Sequence, residues 1–563
     1  MFYNYLFHFI LIFDKSKVAG TGMDRSANIK KIEAGTDNWD IIIIGGGATG
    51  LGIAMDAAKR GFHALLLERS DFAKGTSSRS TKLVHGGVRY LAQGNIGLVF
   101  EALHERGLLI KNAPHIVNNL SFIIPCYKWG LQTFYSIGLK LYDLLSGRLS
   151  FGKSRSISQK ETLQILPTLK QNKLRGGVIY HDGQFDDSRL AINIAQTAVE
   201  NGGVVLNYFK VIDLLKKEDG KIAGVVARDM ETDKTYSLRS KVVINATGVF
   251  VDEILKLDNP HQKDMVMPSQ GIHLVFDKSF LASDDAIMIP KTRDGRVLFI
   301  VPWHDKALAG TTDTPIKTHS PEPKALKEEI EFILTTAGDY LTHPPTRDDV
   351  LSVFAGLRPL AAPGKETDTT KEISRSHKII VADSGLITIT GGKWTTFRKM
   401  AEDTVNRAIK TAGLPFVSCT TQSLRIHGYL QPEKINHDIF QIYGSDAAAI
   451  KELIRKDPKL GEPLFPQNIL IKAQVVWAVR EEMARTVEDV LARRLRVLFL
   501  DAKLAMDMAP MVAKIIAGEL NKDSQWQQQQ INDFADIANN YLLKPYFPSW
   551  YNYNNKTNSD NHD

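Results

Sequence analysis

Three features of the sequence predict an α/β protein with an α+β insert. Apolar strand-like runs alternate with helical patterns, short turn-bounded strands cluster between them, and strand signals fade after about residue 413. At 563 residues the chain exceeds the length at which one hydrophobic core keeps growing, so two or three domains are expected.

The first element is Asp40 to Ile44, a continuous apolar, β-branched run of the kind found in a buried parallel strand, with three glycines directly after it. From Gly50 to Arg60 the pattern is helical and stops at Gly61; a second apolar run, Ala64 to Leu67, closes on Glu68 and completes a βαβ unit. Further strands are expected at Val204 to Leu206, Val242 to Asn245 and Leu386 to Thr390, alternating with helices at Ser188 to Val199 and Thr396 to Lys410. Between them His273 to Phe276, Val297 to Pro302 and Ala307 to Thr311 are short and spaced by turn residues, as in an antiparallel sheet. The reading is a nucleotide-binding domain assembled from residues 38–115, 175–270 and 350–412, a sheet domain inserted at 116–174 and 271–349, and a helical domain at 413–546. Residues 1–37 form an N-terminal tail, whose first thirteen, MFYNYLFHFILIF, are too short for a membrane span. They read as an interfacial anchor or, more simply, as an extension ahead of a start at Met23. Residues 547–563, rich in Asn and aromatics without periodicity, are expected to be disordered.

Composition, with 43% hydrophobic and 24% charged residues, is that of an ordinary soluble globular protein. Two cysteines, neither in a CxxC, fit a reducing compartment and give no support to a metal site. A net charge of +7 favours acidic partners. The cations sit in Gly-rich loops rather than in a stripe with interleaved aromatics, so nucleic acid is not expected.

Gly45, Gly47 and Gly50, with Ala48 and Thr49 at the start of the helix, form G-x-G-x-x-G between strand and helix. Such glycines permit a tight turn, close approach of backbone to a pyrophosphate, and close helix–strand packing, with phosphates at the helix N-terminus. Glu68, eighteen residues past Gly50, suits the hydroxyls of an adenosine ribose and argues against a 2′-phosphate. The bland alternative, a Gly-rich turn, does not account for strand, glycines, helix, strand and acid in register. From Phe72 to Phe100 there are four cations, Lys74, Arg79, Lys82 and Arg89, and no acid, which predicts an anion bound there. Ser77, Ser78, Ser80 and Thr81 offer donors to phosphate oxygens and Lys82 a neutralising charge. The fragments VVINATG (242–248) and LITITGGKWTTFRKMAED (386–403) supply further pieces of such a domain. In the second of these a helix N-terminus would stabilise the anionic edge of a reduced flavin. With no second G-x-G-x-x-G, a separate NADH domain is not expected.

The segments DIIIIGGGATGLGIAMDAAKRG, RSTKLVHGGVRYL, FDDSRL, NATGVFVD, GIHLV, GTTDT, AGLRPL, ISRSH, ITGGKWTTFRKMAED and RTVEDVLARR follow in this order. Across roughly residues 38 to 520 the chain thereby resembles the FAD-dependent, quinone-linked glycerol-3-phosphate dehydrogenases. The resemblance implies a glutathione-reductase-type FAD-binding Rossmann domain, an antiparallel-sheet substrate cap and a C-terminal helical domain. It implies oxidation of sn-glycerol 3-phosphate to dihydroxyacetone phosphate, with electrons passed to a membrane quinone. It further implies a cytoplasmic enzyme held peripherally at the inner face of the cytoplasmic membrane by an anionic surface, with a homodimer as one allowed assembly. An oxidase that returns electrons to O₂, and an amine-oxidising flavoenzyme with a carboxylate clamp, are the rival readings.

By resemblance Ser78, Ser80, Lys82, Leu83, His85 and Gly86 lie along FAD, as do Val211, Ala246, Gly248, Gly392, Lys393, Trp394 and Thr395. Arg89 and Tyr90 reach the substrate. Arg89, Arg358 and Arg375 match the family's active-site arginines, whose planar forks suit a phosphate dianion; for any one of them taken without the family a structural ion pair is the better reading, and as a set with matching motifs the preference reverses. His273 is the leading base for the C2 hydroxyl, with a satisfied core histidine as its bland alternative. Lys393 is expected at the substrate hydroxyls or flavin edge, and His85 to pack against the isoalloxazine. Arg493, Arg494 and Arg496 read as a basic face for anionic lipid or as one solvated helix face.

Overall fold

The computed structural model describes residues 23–34, 38–92, 94–317, 319–361, 377–548 and 550. The anchor or extension at the N-terminus, Arg375, and all of the C-terminal tail past Trp550 lie outside the described residues. The strands and helices that frame the site are, in chain order, β1 (Trp39–Ile44), α1 (Ala48–Lys59), β2 (Ala64–Leu67), β3 (Val117–Cys126), α2 (Leu131–Ser146), β4 (Gly176–Phe185), α3 (Asp187–Glu200), β5 (Val204–Leu206), β6 (Thr235–Asn245), β7 (Val266–Asp277), β8 (Ala286–Ile289), β9 (Leu298–Trp303), β10 (Lys306–Gly310), β11 (Ser352–Ala361), β12 (Ile387–Thr390), α4 (Phe397–Ala412) and α5 (Ala502–Leu520).

Strands far apart in sequence build the first sheet, whose central order β12–β6–β1–β2–β5 is paired in parallel, while Lys378–Val381 adds an antiparallel edge beside β12 and Ile222–Asp229 pairs antiparallel with the first half of β6. Ile41, Ile42 and Ile43 of its central strand are fully buried, because helices cover one face and a second apolar layer the other. Burial of each such side chain stabilises the domain by about 1.5–3 kcal/mol. This is the doubly covered parallel sheet that the uninterrupted apolar runs predict.

The second sheet runs β7–β10–β9–β8–β3–β4, with β11 on the other side of β7. It is antiparallel except where β8 meets β3, Ala286 opposite Phe122, in parallel. Two boundaries are corrected here. β4 and β11, assigned from sequence to the nucleotide-binding domain, are strands of this second sheet, because sheet membership follows cross-strand pairing that no local pattern reveals. The C-terminal helices, α5 among them, pack on this sheet through a shared core that joins Val275, Phe354, Leu491 and Phe499. No helix among the described residues is long and apolar enough to cross a membrane.

Candidate active site

At the end of β1 the chain turns on Gly45, at φ +108°, and enters α1. A Cβ at Gly45 would lie 2.7 Å from the Ala246 carbonyl oxygen, and one at Gly50 only 1.9 Å from the Gly45 carbonyl oxygen. Glycine at these positions is what lets α1 and β6 close on the turn. At the open N-terminus of α1 the Ala48 N–H donates to Ser77 Oγ at 2.9 Å. Glu68 accepts from the N–H groups of Gly46 (2.6 Å) and Ser70 (2.8 Å). Burial raises its pKa, against the pull of those two bonds.

These groups line a cleft of about 1300 Å³ whose walls include Gly45, Gly47, Ala48, Thr49, Glu68, Val211, Ala246, Gly248, Gly392, Lys393 and Trp394. The helix N-terminus, the acid at the strand end and the side-chain-free turn suit a dinucleotide diphosphate and its ribose. The Trp394 indole N–H donates to the Ser77 carbonyl at 2.8 Å, which ties the 386–403 fragment to the serine segment.

Beside this cleft lie two adjoining cavities, of about 1110 and 950 Å³, that share Thr81, Leu83, His85, Tyr90, Thr311 and Arg358. The first also takes in Ser80, His273, Lys393, Trp394 and Thr395. His273 stands in the middle of β7, in register with Gly310 of β10 and Phe354 of β11. Its ring is stacked on Phe354 at 4.9 Å and 18°, and Nε2 is 2.8 Å from Thr81 Oγ1. Two glycines make room. A Cβ at Gly310 would fall 2.2 Å from the His273 ring, and one at Gly271 2.3 Å from the Arg358 guanidinium. Burial, then Lys82 and Arg358, push the His273 pKa well below the ordinary histidine value, so the imidazole is neutral.

Arg358, on β11 opposite Ser269, donates to Thr311 Oγ1 and the Thr312 carbonyl, both at 3.0 Å, with Asp313 at 3.5 Å. Lys393 Nζ sits 3.9 Å over the Tyr90 ring. The His85 N–H donates to Thr395 Oγ1 at 3.1 Å. Arg89 belongs to the short helix Val88–Ala92.

The anion predicted for the 72–100 segment is largely the protein itself. Lys74 is 2.6 Å from Glu488, Arg79 is 2.7 Å from Glu322, and Lys82, fully buried, is 2.7 Å from Asp187. Lys82 therefore does not neutralise a cofactor phosphate, which corrects that expectation. Ser78 is buried with its carbonyl accepting from Lys82 and Arg496, Ser80 donates to Asp187, and the Gly86 N–H faces the Tyr142 hydroxyl in the interior. Gly50 supports the turn without lining the cleft.

Both readings of the 493–496 arginines are corrected as well. Arg493, Arg494 and Arg496 are 2%, 0% and 1% exposed, and they bind Asp71, Glu488, Asp489 and Asp187 inside the molecule. Sequence reasoning missed Arg296, which lines the smaller cavity and donates to the Asp313 carbonyl at 3.4 Å, and Asp182, which lines the same cavity. Neither stands in a motif; only cavity geometry finds them.

Residues 40–398 match the family of FAD dependent oxidoreductases, and residues 386–529 match the C-terminal domain of alpha-glycerophosphate oxidase. The chain is 40% identical to the mitochondrial glycerol-3-phosphate dehydrogenase of Arabidopsis thaliana over 92% of its length and 89% of the relative's. It is 39% identical to the mitochondrial glycerol-3-phosphate dehydrogenase of Homo sapiens, over 88% and 72%. The glycerol-3-phosphate dehydrogenase of Bacillus halodurans, solved with FAD, superposes with a TM-score of 0.76 at 31% identity, covering 94% of this chain and 99% of that one.

Proposed function

The chain belongs to the FAD-dependent glycerol-3-phosphate dehydrogenases, and from that premise we propose how its own residues divide the work of oxidising glycerol 3-phosphate. Bound FAD supplies the hydride acceptor. Arg358 takes the substrate phosphate, aided by Arg89 and Arg375; it lines both cavities with its side chain partly exposed, and its planar fork suits a phosphate dianion. His273, neutral, accepts the C2 hydroxyl proton as the C2 hydride departs. Tyr90 and Lys393 close the side next to the dinucleotide cleft. The observation that carries this reading is the meeting of His273, Arg358, Tyr90 and Lys393 on one cavity contiguous with that cleft.

For the electron acceptor we propose a membrane quinone. The smaller cavity has an apolar wall of Leu83, Val88, Phe122, Met288 and Phe299 that a three-carbon phosphate ester does not need. On the same side α2 exposes Phe134 (64%), Ile137 (67%) and Leu144 (75%), with Trp129 (83%) just ahead of it. Its inner face sends the Tyr142 hydroxyl to Asp182 on the cavity wall at 2.6 Å. An apolar helix face beside an apolar cavity supports peripheral seating on a bilayer that carries the acceptor. The test is anaerobic: glycerol 3-phosphate should bleach the flavin, and a soluble quinone should restore its colour faster than oxygen does. Fast reoxidation by oxygen with peroxide release would instead make the enzyme an oxidase, and absence of bleaching would remove glycerol 3-phosphate as substrate.

A further inference from the structure

Lys82 is adjacent in sequence to Thr81, which holds His273, but it points away from the cavities. Its backbone, at φ +64°, turns the side chain into the interior, where it has no exposure. Nζ donates to Asp187 Oδ2 and to the Ser78 carbonyl, both at 2.7 Å. Three rings enclose the ammonium, Trp303 at 5.0 Å and Phe354 and Phe499 at 5.1 Å each. Phe354 is the ring on which His273 is stacked. The imidazole is thus joined to the lysine twice, through the chain at Thr81 and through the Phe354 ring.

The charged groups that bear on His273 are both cations. β10 contributes Gly310 and β11 Phe354 at its register, so neither brings a charge beside the ring; Arg358 approaches from farther along β11 and Lys82 from the 78–82 segment. Asp187, the counter-ion of Lys82, also holds Arg496 at 2.8 Å, and Asp186 and His304 lie beyond it at 3.2 Å from each other. Among the described residues no carboxylate is bonded to His273.

We propose that Lys82 is a positioning residue of the reaction, whose caged ammonium opposes protonation of His273 and so keeps the imidazole able to accept the C2 hydroxyl proton. The inference rests on His273 being the base. The proton goes to the imidazole and the hydride to the flavin, so the step balances without a further reactant. A cation at short range disfavours the imidazolium, and aromatic faces together with a carboxylate are what make a buried ammonium tolerable. Burial, partly offset by Asp187, lowers the pKa of Lys82 itself to about 7. The lysine is therefore most fully charged in the acid range, where an ordinary histidine would protonate.

The test compares kcat/KM for glycerol 3-phosphate against pH in the FAD-loaded wild type, Lys82→Met, Lys82→Arg and His273→Gln. In Lys82→Met the acid limb should move up by about one pH unit, a loss of about tenfold on that limb, whereas Lys82→Arg should keep the wild-type profile. A limb that stays in place in flavin-loaded Lys82→Met overturns the proposal. His273→Gln separates the two ideas: an acid limb that survives there belongs to another group and removes His273 as the base. A second readout needs no lysine variant. The ring protons of His273, assigned by their loss in His273→Gln, should show no titration around the ordinary histidine value in the wild-type holoenzyme. Titration near the ordinary histidine value would show that no cation guards the ring, and would overturn the proposal even if Lys82→Met did not fold.

Discussion

Two cations bear on the imidazole of His273, and they are held in opposite ways. Arg358 opens on the cavities, with its side chain 23% exposed and the carboxylate of Asp313 at 3.5 Å. Lys82 is sealed behind the same wall, with no exposure, a carboxylate at 2.7 Å and three aromatic rings around it. Proximity to a site does not by itself give a cation a ligand. What decides is whether the cation faces the cavity or is sealed behind its wall. A guanidinium that faces the cavities can reach a phosphate without leaving the wall, while extracting Lys82 would take a counter-ion from Asp187 in a medium of low dielectric.

If that division is real, the sealed cations should govern stability and the open one substrate binding. The largest effect is expected for Arg496→Met, which takes one of two bonded cations from Asp187 and removes the contact to Asp186. Breaking a buried pair of this kind costs about 3–5 kcal/mol. Thermal denaturation should show a clear drop in Tm, with half-saturation by glycerol 3-phosphate unchanged in whatever protein remains folded. His273→Ala should come next, lowering the limiting rate of flavin reduction by about 10²-fold, or roughly 2.7 kcal/mol, with little change in Tm. A change confined to apparent affinity would demote His273 to positioning.

The smallest effect concerns a third kind of cation. His427 lies between Asp446 at 2.7 Å and Glu200 of α3 at 2.6 Å, far from the cavities. Burial works against its charge, but the bonds to Asp446 and Glu200 outweigh it and raise the pKa to about 10. The folded value exceeds the unfolded one, so the stabilisation is complete below about pH 6.5 and is lost as pH rises through about 10. Melts at pH 7 and pH 10 should therefore differ more for the wild type than for His427→Gln; equal differences would contradict this assignment.

The same division explains what could be read from the sequence. The Gly45–Gly50 turn is legible because what it must avoid is either local, as Gly50 against Gly45, or a strand end whose small residues are themselves a motif, as Ala246. The parallel strands are legible because burial on both faces leaves continuous apolar runs such as Ile41–Ile44. The fate of the 72–100 cations is not legible. Lys74, Arg79 and Lys82 find their carboxylates 414, 243 and 105 residues away, so a window free of acid says nothing about the folded charge balance. The 493–496 arginines mislead for the same reason, since Asp71 and Asp187 meet them only once the C-terminal helices close on the nucleotide-binding domain. β4 and β11 illustrate the matching limit for strands, and Arg296 the limit for sites, because a lone arginine acquires meaning only when a cavity opens beside it.

Whether the open cation binds substrate while the sealed ones do not is read by titrating FAD-loaded Arg358→Lys with glycerol 3-phosphate without oxygen and following the rate of flavin bleaching. An ammonium cannot reproduce the two-pronged guanidinium contact. Half-saturation should rise by about 10²-fold while the limiting rate stays within about tenfold of the wild type. Half-saturation unchanged from the wild type would take Arg358 out of the substrate site and contradict the account.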